Sequence, residues 1–94
     1  ELDSKNIVQN FHEKSLNPPS NLANAAVYIV EPTVINFIKS FDKNQVDFST
    51  DILPNYLGKI NTFFNDSYHR DIGTLLSYGL AQVELIEFLN EELN

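Results

Sequence analysis

Cysteine is absent from this chain of 94 residues, so it can build neither a disulfide framework nor a thiolate metal site. A single arginine, Arg70, accompanies five lysines against thirteen acids, for a formal charge of -7. A surface so poor in guanidinium groups is not made to follow a phosphate backbone, which argues against a nucleic-acid partner. Glycine is limited to Gly58, Gly73 and Gly79, too few and too scattered for a glycine-rich phosphate loop. No apolar run approaches the roughly 18 residues that suggest a membrane span, and no signal-peptide pattern opens the chain. Together these absences predict a soluble, cytoplasmic chain with no membrane partner.

What is abundant is apolar bulk. Leu, Ile, Val and Phe supply 32 residues, well above the roughly 20% below which disorder becomes the default. Ile7 to Lys14 alternates with period two and predicts a strand, ended by Asn17-Pro18-Pro19-Ser20. Ala23 to Val30 is apolar except for Asn24 and β-branched towards its end, as in a strand buried on both faces. Glu31-Pro32-Thr33 opens a helix with Pro in its first turn. Val34, Ile35, Ile38 and Phe41 form its inner face, and its end is expected near Asp42. Ser49 or Thr50 is expected to cap a second helix that turns Ile52, Leu53, Tyr56 and Leu57 inward. Pro54 must then lie in its first turns or kink it, and Gly58 would stop it. Ile60 to Phe64 reads as a third strand, and Tyr56 and the phenylalanines at helical spacing read as core. Thr74 is expected to cap the longest helix, with a stripe of Leu76, Leu80, Val83, Ile86, Leu89 and Leu93. Its outer face carries Glu84, Glu87 and Glu91 with no basic neighbour in sequence. This alternation predicts an α/β fold, three or so strands with flanking helices, in a thin open-edged sheet that belongs to a larger one.

Polar chemistry is concentrated in Asn65 to Thr74, where Asp66, His69, Arg70 and Asp71 crowd together at a predicted strand-to-helix junction. Asp66, His69 and Asp71 could ligate a divalent ion, or the segment could be a polar loop whose Asp71 accepts hydrogen bonds from the turn at Gly73 and Thr74. Glu13-Lys14 places an acid beside a base at a predicted strand end. Neighbours on a strand point to opposite faces, so the two share a target only if the strand stops there. Asn24 is a polar side chain at the mouth of an apolar strand, where its amide needs a partner from the backbone or from a ligand.

Four blocks occur in a telling order: Val8-x-x-Phe11-x-Glu13-Lys14, Asn24-Ala25-Ala26-Val27-Tyr28, Asp47-Phe48-Ser49-Thr50-Asp51-x-x-Pro54, and Tyr68-x-x-Asp71-Ile72-Gly73-Thr74. In order and spacing they resemble the second half of a sugar-1-phosphate nucleotidyltransferase. The similarity leans towards the guanylyltransferases that act on mannose 1-phosphate or D-glycero-D-manno-heptose 1-phosphate. The resemblance implies a Rossmann-like mixed-sheet domain of which residues 1–94 are the C-terminal, sugar-binding part, the nucleotide-binding part being absent, and a segment inactive alone. It implies that Glu13 binds sugar hydroxyls, that Lys14 contacts the phosphate of the sugar 1-phosphate, and that Asn24 binds the sugar. Asp71 would hold Mg²⁺, making Lys14 and Asp71 the catalytic pair, while Asp66 and His69 become bystanders. The resemblance implies a reaction that transfers a nucleotidyl group, guanylyl from GTP, to the sugar 1-phosphate and releases pyrophosphate.

The sequence departs from the family pattern at Ala26, where Gly is usual, at Ser15, where Pro commonly follows Glu-Lys, and at His69, where an aromatic is frequent. The alternative is a non-catalytic binding or assembly module of the same fold, with homo-oligomers forming through exposed strand edges.

Overall fold

A computed structural model describes the whole chain, Glu1–Asn94. It divides into two compact units, Glu1–Thr62 and Phe63–Asn94.

The first unit begins with a tight reversal. Asp3 Oδ1 accepts the N–H groups of Lys5 and Ile7 at 2.8 and 3.0 Å, and Asn6 turns the chain at a φ of 60°. Buried Val8 is then tied to a distant segment: its N–H donates to Ile60 O at 3.0 Å and its carbonyl accepts from Gly58 N–H at 2.7 Å. Isolated antiparallel bridges join Leu2 to Val8 and Ile7 to Asn61.

These bridges are all that remains of the expected strands at 7–14, 23–30 and 60–64, and no sheet forms. The α/β expectation is corrected here to a chain whose regular elements are all helical. The physical reason is pairing. A strand persists only where neighbours take its N–H and C=O groups, and Ala23 to Val30 makes no backbone–backbone hydrogen bond within the chain. Far from being buried on both faces, it leaves Ile29 fully exposed and Val27 78% exposed.

Helix α1 spans Pro32–Lys39. Pro32 starts it as expected, where a missing N–H costs nothing. It stops short of Asp42 because Ser40 closes the last turn, donating from both N–H and Oγ to Phe37 O. Phe37 packs edge-on against Phe41 and Tyr56, at 5.1 and 5.8 Å between ring centres.

The second expected helix is replaced by a wide π-type turn, Phe48–Ile52, followed by a tight 3₁₀ turn, Leu53–Tyr56. Pro54 explains the change, since it lacks the N–H an α-helix needs there and its ring crowds the carbonyl four residues back. The cap is Asp47, not Ser49 or Thr50: its Oδ1 accepts from both of their N–H groups, at 2.8 and 3.0 Å. Gly58 ends the segment at a φ of 81°, which glycine adopts without steric cost. Ile52 and Leu53, with Val8, form the buried core of this unit.

The second unit contains helix α2, Leu75–Leu93. Thr74 caps it as predicted, exchanging hydrogen bonds with Ser77: each side-chain oxygen accepts the other residue's N–H at 3.1 Å. The packed face is not the expected one. The leucine-rich stripe from Leu76 to Leu93 is exposed, whereas Ala81 is buried and Ser77, Glu84 and Phe88 are half-buried. Phe63 and Phe64, in the expected strand 60–64, are exposed as well. No helix is long and apolar enough to cross a membrane.

Candidate functional site

The residues singled out from the sequence fall into both units. In the second, Asp71 heads the approach to α2. Its Oδ1 accepts the N–H of Gly73 at 3.2 Å, and its other carboxylate oxygen has no partner in the chain. Thr74 N–H bonds Ser77 rather than Asp71, so Asp71 holds the turn at Gly73 alone. A Cβ on Gly73 would sit 3.4 Å from both carboxylate oxygens, so a side chain there would press on the group that closes the turn.

Arg70, next to Asp71, is fastened to α2. Its Nε and Nη2 donate to the two carboxylate oxygens of Glu84, each at 2.5 Å, and the Tyr68 hydroxyl donates to Glu84 Oε2 at 3.1 Å. The Tyr68 ring lies 6.0 Å from that of Phe88. Glu84 is therefore not a solvated acid without a basic partner, as its sequence neighbours suggested. The forked pairing satisfies both of its oxygens. Arg70 chiefly, against a smaller opposing effect of burial, holds the Glu84 carboxyl below its ordinary range. Burial first, then the bond to Glu84, pushes the Tyr68 phenol upward. The residues flanking Asp71 are thus fixed to the helix while its carboxylate stays exposed.

In the first unit, Glu13 and Lys14 occupy an exposed turn. Lys14 has a φ of 52°, which ends any strand alternation and lets Lys14 Nζ lie 3.9 Å from Glu13 Oε1. Asn24 is also exposed rather than buried. Its Nδ2 donates to the Tyr28 hydroxyl at 2.6 Å and its Oδ1 accepts from Ala26 N–H at 3.0 Å. Ala26 adopts a φ of 55°, a left-handed conformation that costs a residue with a Cβ about 1–2 kcal/mol. The Tyr28 ring lies 4.7 Å from Phe48.

Asp51 sits at the far end of that contact. Its Oδ2 accepts from Lys43 Nζ at 2.5 Å and from Asp47 N–H at 2.8 Å. The Lys43 bond, then the Asp47 N–H, lowers its carboxyl below the ordinary range. A groove of about 490 Å³, lined by Ile29, Val34, Phe48, Ile52, Tyr56 and Lys59 among others, opens in this unit. None of Glu13, Lys14 or Asn24 lines it.

The pairings of Arg70 with Glu84 and of Tyr28 with Asn24 are not legible in the sequence. Arg70 and Glu84 lie 14 positions apart with no periodic relation, so no sequence signal could join them. The four-residue spacing of Asn24 and Tyr28 was visible, but in a predicted strand it did not suggest contact. No group of three or more His, Asp or Glu side chains gathers into a ligand cluster. Asp66, His69 and Asp71 therefore do not form a metal cage by themselves.

Asp51 and Glu84 also set an expected pH response. Both carboxyls hold protons less tightly folded than unfolded, so their pairs stabilise the fold above the ordinary carboxylate pKa of about 4. That contribution is lost as pH falls through their lower folded values. Urea melts between pH 7 and pH 3 should show the midpoint falling below about pH 4, less steeply in a double Asp51→Asn, Glu84→Gln variant.

Comparison with known proteins assigns a class to this arrangement. A family model described as nucleotidyl transferase matches residues 1–87, and the chain belongs to that family. Its curated relatives include the glucose-1-phosphate adenylyltransferase of Lachnospira eligens, 35% identical over 92 residues that cover 93% of this chain and 22% of that protein. The glucose-1-phosphate adenylyltransferase of Thermotoga maritima is 34% identical over 87 residues, covering 84% of the chain and 21% of that protein. That of Halalkalibacterium halodurans is 32% identical over 87 residues, covering 85% and 23%. The chain spans about a fifth of the length of these relatives. No solved structure matches it.

Proposed function

We propose that this chain is the sugar- and metal-binding part, C-terminal within the nucleotidyltransferase domain, of a cytoplasmic sugar-1-phosphate nucleotidyltransferase, the nucleotide-binding part of that domain lying elsewhere in the polypeptide. The observation that carries the reading is the family match across residues 1–87. The adenylyltransferase names of the relatives favour ATP and glucose 1-phosphate as the substrates, over the GTP and mannose- or heptose-type sugar that the sequence blocks suggest. In the complete domain, the apolar segment Ala23 to Val30 would take its place as a strand of a mixed sheet, which accounts for its composition and its exposure here.

In this reading an oxygen of the sugar 1-phosphate attacks the α-phosphorus of the triphosphate. The new P–O bond forms as the bond to the β-phosphate oxygen breaks, and pyrophosphate leaves. Lys14, a compact cation on an exposed turn, offsets the charge of the sugar phosphate, and Glu13 accepts hydrogen bonds from sugar hydroxyls. Asn24 binds the sugar through its amide. Asp71 is suited to supply one hard oxygen ligand to Mg²⁺, since one carboxylate oxygen is free and the group is exposed. Mg²⁺, when bound, neutralises converging phosphate oxygens.

The test is pyrophosphate release by the whole protein with each pairing of ATP or GTP with glucose, mannose or heptose 1-phosphate. Turnover with ATP and glucose 1-phosphate about tenfold or more above the guanylyl pairings is expected. The reverse preference would restore the guanylyl assignment, and silence with every pair would leave the non-catalytic module.

A further inference from the structure

We propose that Tyr28 is a positioning residue for Asn24, anchoring the Asn24 amide in place in the sugar-binding loop. The inference rests on the nucleotidyltransferase reading, in which Asn24 touches the sugar.

An asparagine amide has two unlike ends, and a sugar hydroxyl network distinguishes them. At Asn24 both ends are already assigned. Oδ1 accepts the Ala26 N–H at 3.0 Å, and Nδ2 donates to the Tyr28 hydroxyl at 2.6 Å. Turning the amide over would set its NH₂ against the Ala26 N–H, donor against donor. The Tyr28 hydroxyl can donate as well as accept, so Ala26 sets the facing and Tyr28 anchors the amide in position, its own ring held against Phe48 at 4.7 Å. One N–H of Nδ2 and one lone pair of Oδ1 are left over, a donor and an acceptor for sugar hydroxyls.

The backbone supports the same conclusion. Ala26 holds a φ of 55° although it carries a Cβ. Such a conformation persists where its surroundings over-determine it, and it marks functional loops more often than neutral ones. Here the determinant is the Asn24 bond to Ala26 N–H, so the run from Phe48 through Tyr28 and Asn24 to Ala26 is one continuous support. Tyr28 touches no substrate in this scheme and acts only through Asn24.

Two measurements test it. In the first, the ¹⁵N-labelled chain is compared with its Tyr28→Phe variant, which keeps the ring and removes the hydroxyl. The Asn24 side-chain amide is expected to shift and to exchange with solvent several-fold faster. An unchanged Asn24 amide would overturn the proposal whatever the enzyme does. In the second, the whole enzyme is assayed with glucose 1-phosphate and ATP. Tyr28→Phe should raise the KM for glucose 1-phosphate about three- to tenfold, with kcat and the KM for ATP within about twofold. The double variant Tyr28→Phe, Asn24→Ala should match Asn24→Ala alone, because a residue acting through another has nothing left to act on. Losses that multiply in the double variant, or a Tyr28→Phe enzyme with normal KM beside an impaired Asn24→Ala, would overturn the positioning role and leave the nucleotidyltransferase reading standing. An unimpaired Asn24→Ala enzyme would remove both roles, and a wild-type protein without turnover would remove the reading itself.

Discussion

Asp71→Asn in the whole enzyme is expected to lower turnover by about 10²–10³-fold, the scale seen when a preorganised group facing reaction charge is removed. Asparagine is the informative replacement because it retains an Oδ1. That atom can still accept the Gly73 N–H now bound at 3.2 Å, so the turn ahead of α2 survives. The helix start depends on Thr74 and Ser77, which the substitution does not touch. The Arg70–Glu84 fork beside it likewise remains. What is lost is the negative charge on the free oxygen, which in the proposed reading is the anionic ligand offered to Mg²⁺. Steady-state pyrophosphate release measures the effect, and the helical circular dichroism signal checks that the fold is unchanged. Turnover within about twofold of wild type would remove Asp71 from the mechanism.

Ile52→Ala should have the largest effect on stability. Ile52 is 1% exposed and is the largest fully buried side chain, with Leu53 next to it and Val8 completing the small core of the first unit. Truncating a buried Ile costs about 2–5 kcal/mol, the spread reflecting how far the surroundings collapse into the gap. Three buried side chains leave little to collapse, which favours the upper part of that range. A stretch of 62 residues has a total stability of only about 3–9 kcal/mol at typical values per residue. The variant should therefore lose most of the dispersed amide signals from residues 1–62. Leu16→Ala, at a position 97% exposed, is the control and should leave the urea midpoint in place. An Ile52→Ala chain with a wild-type midpoint would show that the core lies elsewhere.

Elements governed by local chemistry could be read from the sequence. Pro32 at the first helical position and Thr74 ahead of a long apolar repeat placed α1 and α2, and both starts are observed. The turn at Gly73, closed by Asp71, follows from residue types two positions apart. Elements that depend on partners could not be read. Val27 to Val30 has the composition of a strand, but composition supplies no neighbour to hydrogen-bond it. Pro54 carried a warning, but not the outcome: the backbone widens before it and tightens after it instead of kinking. The cap falls on Asp47 rather than on Ser49 or Thr50 because its one carboxylate accepts the N–H groups of both, which only the geometry shows. The packed face of α2 differs from the expected one for another reason. Hydrophobic periodicity favours the leucine stripe, whereas in the second unit Glu84 and Phe88 are the α2 side chains that Tyr68 and Arg70 engage.

The cap at Thr74 bears on the order in which the chain acquires structure. Helix α2 runs for 19 residues and carries its own start signal, so it needs no distant contact to nucleate. A helix of about that length relaxes in roughly 0.1–1 μs. The ties from Val8 to Gly58 and Ile60 must first close a loop of some fifty residues, which is slower because chain entropy is spent before any bond rewards it. On refolding from denaturant, α2 is therefore expected to form before the Val8 ties close, and the loop bearing Asp71 to settle on it through the Arg70–Glu84 fork.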